Sequence, residues 1–186
     1  MRIQSGTPAP KFQTEDIFTR AVTQPQTSGD YRKWRLLSFL RNGACAICNL
    51  RVHQLIEQYP HLQAKLEVIV VFESPPESIR QYVGRQDAPF PIIADPNAVL
   101  YALYGVESSE EKVARTMQMP ETQTTIQEAA SQGFALTPEE GSNFYRIPAD
   151  FLIDPDGIVQ RAHYAEHLTD HLPLNEIEQV LEVANR

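Results

Sequence analysis

Trp34-Arg35-Leu36-Leu37-Ser38-Phe39-Leu40-Arg41-Asn42-Gly43-Ala44-Cys45-Ala46-Ile47-Cys48 is the stretch from which the fold can be read. Residues 34–40 form a short apolar run of the kind that makes a buried strand. Arg41-Asn42-Gly43-Ala44 turns the chain. A helix is expected from about Cys45 to Tyr59, with Ile47, Val52, Leu55 and Ile56 roughly on one face and Pro60 marking its end. The two cysteines therefore stand where a strand hands over to a helix. Free N–H groups and the dipole at a helix N-terminus favour an anion and can lower a thiol pKa from about 8.5 to roughly 3.5–7.5. The thiolate so formed at Cys45 is a nucleophile at neutral pH. Cys48, one turn on, can attack the oxidised or mixed-disulfide form of Cys45 and release the group bound there. Arg41 and Arg51 flank the pair. They read first as solvent-facing arginines and second as charges that favour a thiolate.

Outward from this stretch the elements alternate. Leu66–Phe72 is β-branched and apolar enough for a central strand. Ser74-Pro75-Pro76-Glu77 carries a helix start, with Ser74 as cap, Pro75 at the first helical position and Glu77 completing a capping box. A short strand follows near Pro91-Ile92-Ile93, and Asp95-Pro96 opens a helix that runs to Gly105. From Glu107 to about Tyr145 the composition turns to Glu, Gln, Thr and Ala. Helices are expected around Glu110–Met117 and Thr122–Ser131, and Thr137-Pro138-Glu139-Glu140 is a second capping signature. This segment has too few large apolar residues for a core of its own, so it reads as a helical insertion and not as a second domain. Three readings of it stand open: a cover over the site, a homodimer face, or a plain surface excursion. Asp154-Pro155-Asp156-Gly157 is hairpin-turn chemistry between two closing strands, and a last helix spans about Leu174 to Ala184. Pro148 enters the first of those strands, where a proline is tolerated; a cis bond there would shape a tight loop facing the cysteines. The first thirty residues read as an extended lead-in with a short hairpin. The expected fold class is α/β, a mixed central sheet flanked by helices, in one domain over residues 1–186 with the insertion at about 107–145.

The whole-chain figures limit function. The chain has 186 residues, a formal charge of −8 and only 2 cysteines. An acidic surface argues against nucleic acid or an anionic membrane as the main partner, and no stretch approaches the roughly 20 apolar residues of a membrane helix. No apolar signal-peptide region follows Met1, so the expected compartment is the reducing cytoplasm. A CxxC there is catalytic, redox-sensing or metal-binding more often than a permanent staple. Structural zinc wants four ligands and there is no second CxxC. His163, His167 and His171 could be imagined as partners but read mainly as exposed polar residues or caps.

Taken together, these residues resemble a family. Phe39-Leu40-Arg41, three residues, then Cys45-Ala46-Ile47-Cys48 is similar to a peroxiredoxin-like branch of the thioredoxin-fold AhpC/TSA superfamily. So are Gly6-Thr7-Pro8-Ala9-Pro10-Lys11-Phe12, Phe90-Pro91 with Asp95 ahead of Tyr104-Gly105-Val106, and Pro148 to Gly157. The resemblance implies a thioredoxin-like fold with an N-terminal extension. It also implies thiol redox chemistry without metal or organic cofactor, a peroxide or disulfide substrate, and a thiol electron donor such as a thioredoxin system. It places Pro148 where the thioredoxin-type cis-proline stands. Two departures matter. In the peroxiredoxin register Cys48 is the peroxidatic candidate, and Cys45 stands where a Thr would be. The place of the arginine beside the substrate thiolate is Pro148, with Arg146 only nearby. Both missing groups would polarise a peroxide, which moves the expectation toward a thioredoxin-like dithiol with Cys45 as its exposed nucleophile. The competing class is a non-enzymatic redox sensor or partner-binding module with a switchable disulfide.

Overall fold

In the computed structural model, which describes residues 1–24 and 33–183, the polar lead-in closes into a hairpin of β1 (Phe12–Glu15) and β2 (Ala21–Gln24). The Asp16 carboxylate organises its turn by accepting the N–H groups of Phe18 and Arg20. The apolar run becomes β3 (Trp34–Phe39). The chain then continues through α1 (Ala46–Leu62), β4 (Leu66–Phe72), α2 (Pro76–Tyr82), β5 (Ile92–Ala94) and α3 (Val99–Tyr104). The insertion contributes α4 (Glu110–Gln118) and α5 (Pro120–Ser131), and β6 (Ala149–Ile153), β7 (Val159–Tyr164) and α6 (Leu174–Val183) complete the order. Ala184, where the last helix was expected to end, lies outside the described residues, as does the stretch between β2 and Lys33.

The five-stranded sheet has the order β5-β4-β3-β6-β7. β3, β4 and β5 run parallel; β6 and β7 are antiparallel to their neighbours. Strand alternation sends side chains to two faces. Leu36, Val68, Val70 and Leu152 meet Val52 and Leu55 of α1 and Ile177 and Leu181 of α6. Leu37, Phe39, Ile69, Val71 and Phe151 meet Leu100, Tyr101 and Tyr104 of α3 on the other. Each such side chain, fully buried, contributes about 1.5–3 kcal/mol. No helix among the described residues is long and apolar enough to cross a membrane.

Three local expectations give way to tertiary contacts. Pro60 does not end α1. The helix runs one turn further, closed by Gln63 N–H on the Tyr59 carbonyl at 2.8 Å and held by buried Leu62. Ser74 does not cap α2, whose N-cap is Pro75 with no side-chain bond; the Ser74 hydroxyl instead accepts the Gly43 N–H at 2.9 Å. Residues 137–140 start no helix, because Glu139 reaches back to the cysteine loop.

The insertion leaves and re-enters the fold at one point. Ser109 N–H donates to the Tyr145 carbonyl (2.8 Å) and Ile147 N–H to the Glu107 carbonyl (3.0 Å). Small residues let α5 lie close against α1, with Ala129 packed on Ala46 and Leu50. Val113 of α4 packs with Ile147, Ala165 and Leu168.

Candidate active site

Every residue from Arg35 to Val52 is buried, so the loop between β3 and α1 is covered along with the strand and the first turns of the helix. Three side chains shape that loop. Ser74, just past β4, holds the Gly43 N–H. Gly43 has no room for a side chain: a Cβ would sit 3.2 Å from the Ile79 Cα and the Ser78 Oγ. Asn49, inside α1, donates from Nδ2 to the carbonyls of Gly43 (2.8 Å) and Cys45 (3.0 Å), and Gln86 steadies Asn49 in turn.

Cys45 is the N-cap of α1, with extended backbone, and is bonded to Cys48 as a disulfide with the Cα atoms 5.2 Å apart. Two donors converge on the Cys45 sulfur, the Cys48 N–H at 3.3 Å and the Arg41 Nη2 at 3.3 Å. The expectation of an exposed nucleophile is corrected: Cys45 is 2% exposed and Cys48 5%. The cover is the loop after α5. Glu139 Oε2 accepts the Ala44 N–H (3.1 Å), Ser142 Oγ accepts from Asn42 Nδ2 (3.3 Å), and the Phe144 carbonyl accepts from Arg41 Nη1 (3.1 Å). Beneath it lies a cavity of about 310 Å³ with Cys45 and Arg41 in its wall.

The predicted supporting residues separate. Arg41 is at the sulfur and is buried, not solvent-facing; burial lowers its guanidinium pKa to about 10. Arg51 is also buried. It faces Asp150 at 3.7 Å and donates to the Leu172 carbonyl at 2.9 Å, so its partners are these and not the sulfurs. Arg146 is clamped by Glu73 (2.5 and 3.1 Å) and the Val106 carbonyl (2.7 Å), with its guanidinium over the Tyr101 ring. Pro148 is buried at the entry to β6. The β3–β6 register pairs Phe39 with Ala149, which sets Pro148 beside the end of β3 where the cysteine loop begins.

Sequence reasoning missed the polar cluster under α1. Asp150 is fully buried, where burial alone would raise its pKa. His171, Arg51 and Ser38 instead hold its carboxyl well below the usual carboxylate range, and the Leu172 N–H also donates to it (2.8 Å). His171 is nearly buried, not exposed; burial lowers its pKa, with Asp150 opposing. An ionised carboxylate only accepts, so the His171 Nδ1–H donates to it across 3.2 Å. His163 faces Asp170 (2.8 Å), and His167 faces Thr169 (3.0 Å).

A strand–loop–helix with a cysteine pair at the helix start, matched over residues 5–162 by the model of the AhpC/TSA family, decides the relationship. The chain belongs to the AhpC/TSA family. Its fold is thioredoxin-like, as solved relatives show. A peroxiredoxin 6 of Arenicola marina superposes with a TM-score of 0.67 at 14% identity, over 98% of this chain and 74% of that one. The yeast mitochondrial 1-Cys peroxiredoxin gives 0.66 at 16%, over 98% and 76%. A protein described as the thiol:disulfide interchange protein DsbE of Chlorobium tepidum gives 0.61 at 17%, over 98% and 97%. No curated protein matches in sequence.

Proposed function

We propose that this AhpC/TSA member is a thiol oxidoreductase cycling Cys45 and Cys48 between dithiol and disulfide, with thiol–disulfide exchange as its main reaction and Cys45 as the attacking sulfur. The observation that carries this reading is the convergence of the Cys48 N–H and the Arg41 guanidinium on the Cys45 sulfur. In the reduced protein the same donors stabilise a thiolate there. That thiolate attacks a substrate disulfide, forming a mixed disulfide and expelling one substrate thiolate. Cys48, deprotonated, then attacks the Cys45 sulfur, releases the second thiolate and leaves the internal disulfide. An external thiol donor returns two electrons. The chain works as one unit with residues 107–145 over the site, in a reducing compartment where a two-cysteine protein can be recycled.

Peroxide reduction is a second reading, supported by the family and by Arg41 at the sulfur. Thiolate attack on the O–O bond would give a sulfenic acid and an alcohol or water, and condensation with Cys48 would then release water. The test is a pair of single serine variants incubated with a disulfide and separately with a peroxide. Cys48→Ser should retain a mixed disulfide on Cys45, and Cys45→Ser should react at least about tenfold more slowly. Faster capture by Cys45→Ser would reverse the assignment. Oxidation without turnover in the wild type would favour the sensor class.

A further inference from the structure

Resting on that dithiol reading, we infer that the thiol which recycles this protein is a small one with an apolar alkyl arm, seated in the cavity beside Cys45. Two observations point to the same occupant. The cavity, about 310 Å³, is walled by Ile47, Met117, Ile126, Leu136, Phe144 and Leu168, and of the two cysteines only Cys45 lines it. A space of this size sits at the lower end of small-molecule sites, roughly 300–1,000 Å³. The second observation is Arg41. The residue is 4% exposed, its Nε has no hydrogen-bond partner, and among the described residues it forms no ion pair with a carboxylate. Glu139 shares the wall, but one of its oxygens is engaged by the Ala44 N–H. In the disulfide state the Cys45 sulfur is uncharged, so among the described residues this cation, which lies over the Phe144 ring, has no anion bonded to it, and an incoming thiolate supplies one.

The chemistry balances with that thiol alone. The thiolate RS⁻ attacks the Cys45 sulfur and forms an RS–S bond. The Cys45–Cys48 bond breaks and its electron pair leaves on Cys48 as thiolate. A second RS⁻ attacks the RS sulfur of the mixed disulfide, giving RSSR and the Cys45 thiolate. Two thiols are oxidised and one protein disulfide is reduced. The loop over residues 137–144, tied down at Ala44, Asn42 and Arg41, closes the approach that a folded protein reductant would need.

The test is stopped-flow reduction of the oxidised full-length protein by mercaptoethanol, mercaptobutanol and mercaptohexanol, with a thioredoxin as a further arm. Rates are expressed per thiolate and normalised to each thiol's rate with an exposed small disulfide. Each methylene that becomes buried raises affinity by up to about fourfold, so mercaptohexanol should exceed mercaptoethanol by at least about tenfold. Leu136→Ser and Phe144→Ser, at wall positions 59% and 50% exposed, should bring that ratio toward one while thermal unfolding stays cooperative. A ratio near one in the wild type overturns the inference, as does reduction by thioredoxin faster than by mercaptohexanol at equal concentration; either leaves the dithiol reading intact. Failure of every thiol, thioredoxin included, to reduce the bond removes both.

Discussion

Replacing Arg41 by Met removes its guanidinium from the Cys45 sulfur and keeps most of its apolar stem. The donor lies 3.3 Å from the sulfur. At that separation and an effective dielectric of about 20, two unit charges attract by about 5 kcal/mol. Burial of Arg41, which lowers its own pKa to about 10, offsets part of this, and a hydrogen bond to a charged group is worth about 1.5–3 kcal/mol net. One pH unit corresponds to about 1.4 kcal/mol. The midpoint of thiolate formation at Cys45 should therefore rise by about one to two pH units, since the lost interaction favoured the charged form. The assay is the rate of iodoacetamide alkylation against pH in a Cys48→Ser background, where Cys45 is the single thiol, with mass spectrometry to locate the adduct. Arg41→Lys should recover part of the shift, because an ammonium keeps the charge but not the two-pronged reach to Phe144 and sulfur. A midpoint within half a unit of the parent, in a variant that unfolds at the same temperature, would refute the electrostatic role of Arg41.

Three further outcomes are expected. Glu139→Ala frees the Ala44 N–H; discounted for partial exposure, the loss is about 1 kcal/mol. Alkylation of reduced Cys45 should then run about fivefold faster, with increased hydrogen exchange at Ala44. Arg51→Met takes the facing arginine charge from the buried Asp150 carboxylate, which keeps Ser38, His171 and the Leu172 N–H; the loss should be about 1.5–3 kcal/mol of stability in urea denaturation, and adding Asp150→Asn should recover part of it. His171 carries a depressed pKa, from burial opposed by Asp150, with Arg51 and Asp170 also facing it. The unfolded chain therefore binds the proton first, at about pH 6.5. The stabilisation is fully present above that pH and is lost as pH falls toward the folded value, so His171→Gln should flatten the stability curve just below pH 6.5; an unchanged slope would exclude His171 as its source.

How much was legible depended on sequence distance. The strand at 34–39 and the helix after it follow from patterning within one window, and the placing of Cys45 at the helix start follows with them. Leu66–Phe72 is apolar enough to announce a central strand on its own. The donors on the Cys45 sulfur are sequence neighbours, but the contacts that cover and brace the site span long separations and leave no local trace. Glu139 reaches Ala44 across 95 residues, Leu172 reaches Asp150 across 22, and Ser74 reaches Gly43 across 31. Ser74 and Glu139 sat inside convincing capping patterns and were diverted because a covered loop left N–H groups needing acceptors. Arg51 looked like a surface charge because its partner Asp150 sits on a strand that arrives about a hundred residues later. Polar residues within apolar strands, Ser38 in Trp34–Phe39 and Asp150 in Ala149–Ile153, are the signals that could have shown that cluster.

The neck of the insertion has a consequence for design. Because Glu107 with Ile147 and Ser109 with Tyr145 bond to each other across it, the ends of the inserted segment are pinned side by side whatever lies between them. Changing the length between them adds only slowly to the closure entropy. The sheet and the cysteine pair form the platform, and any replacement for the segment from 110 to 144 has to cover Ala46, Leu50 and Leu168 and supply acceptors to the cysteine loop in its place. Grafting such a replacement onto the same neck is a direct way to give this thiol chemistry a new range of substrates.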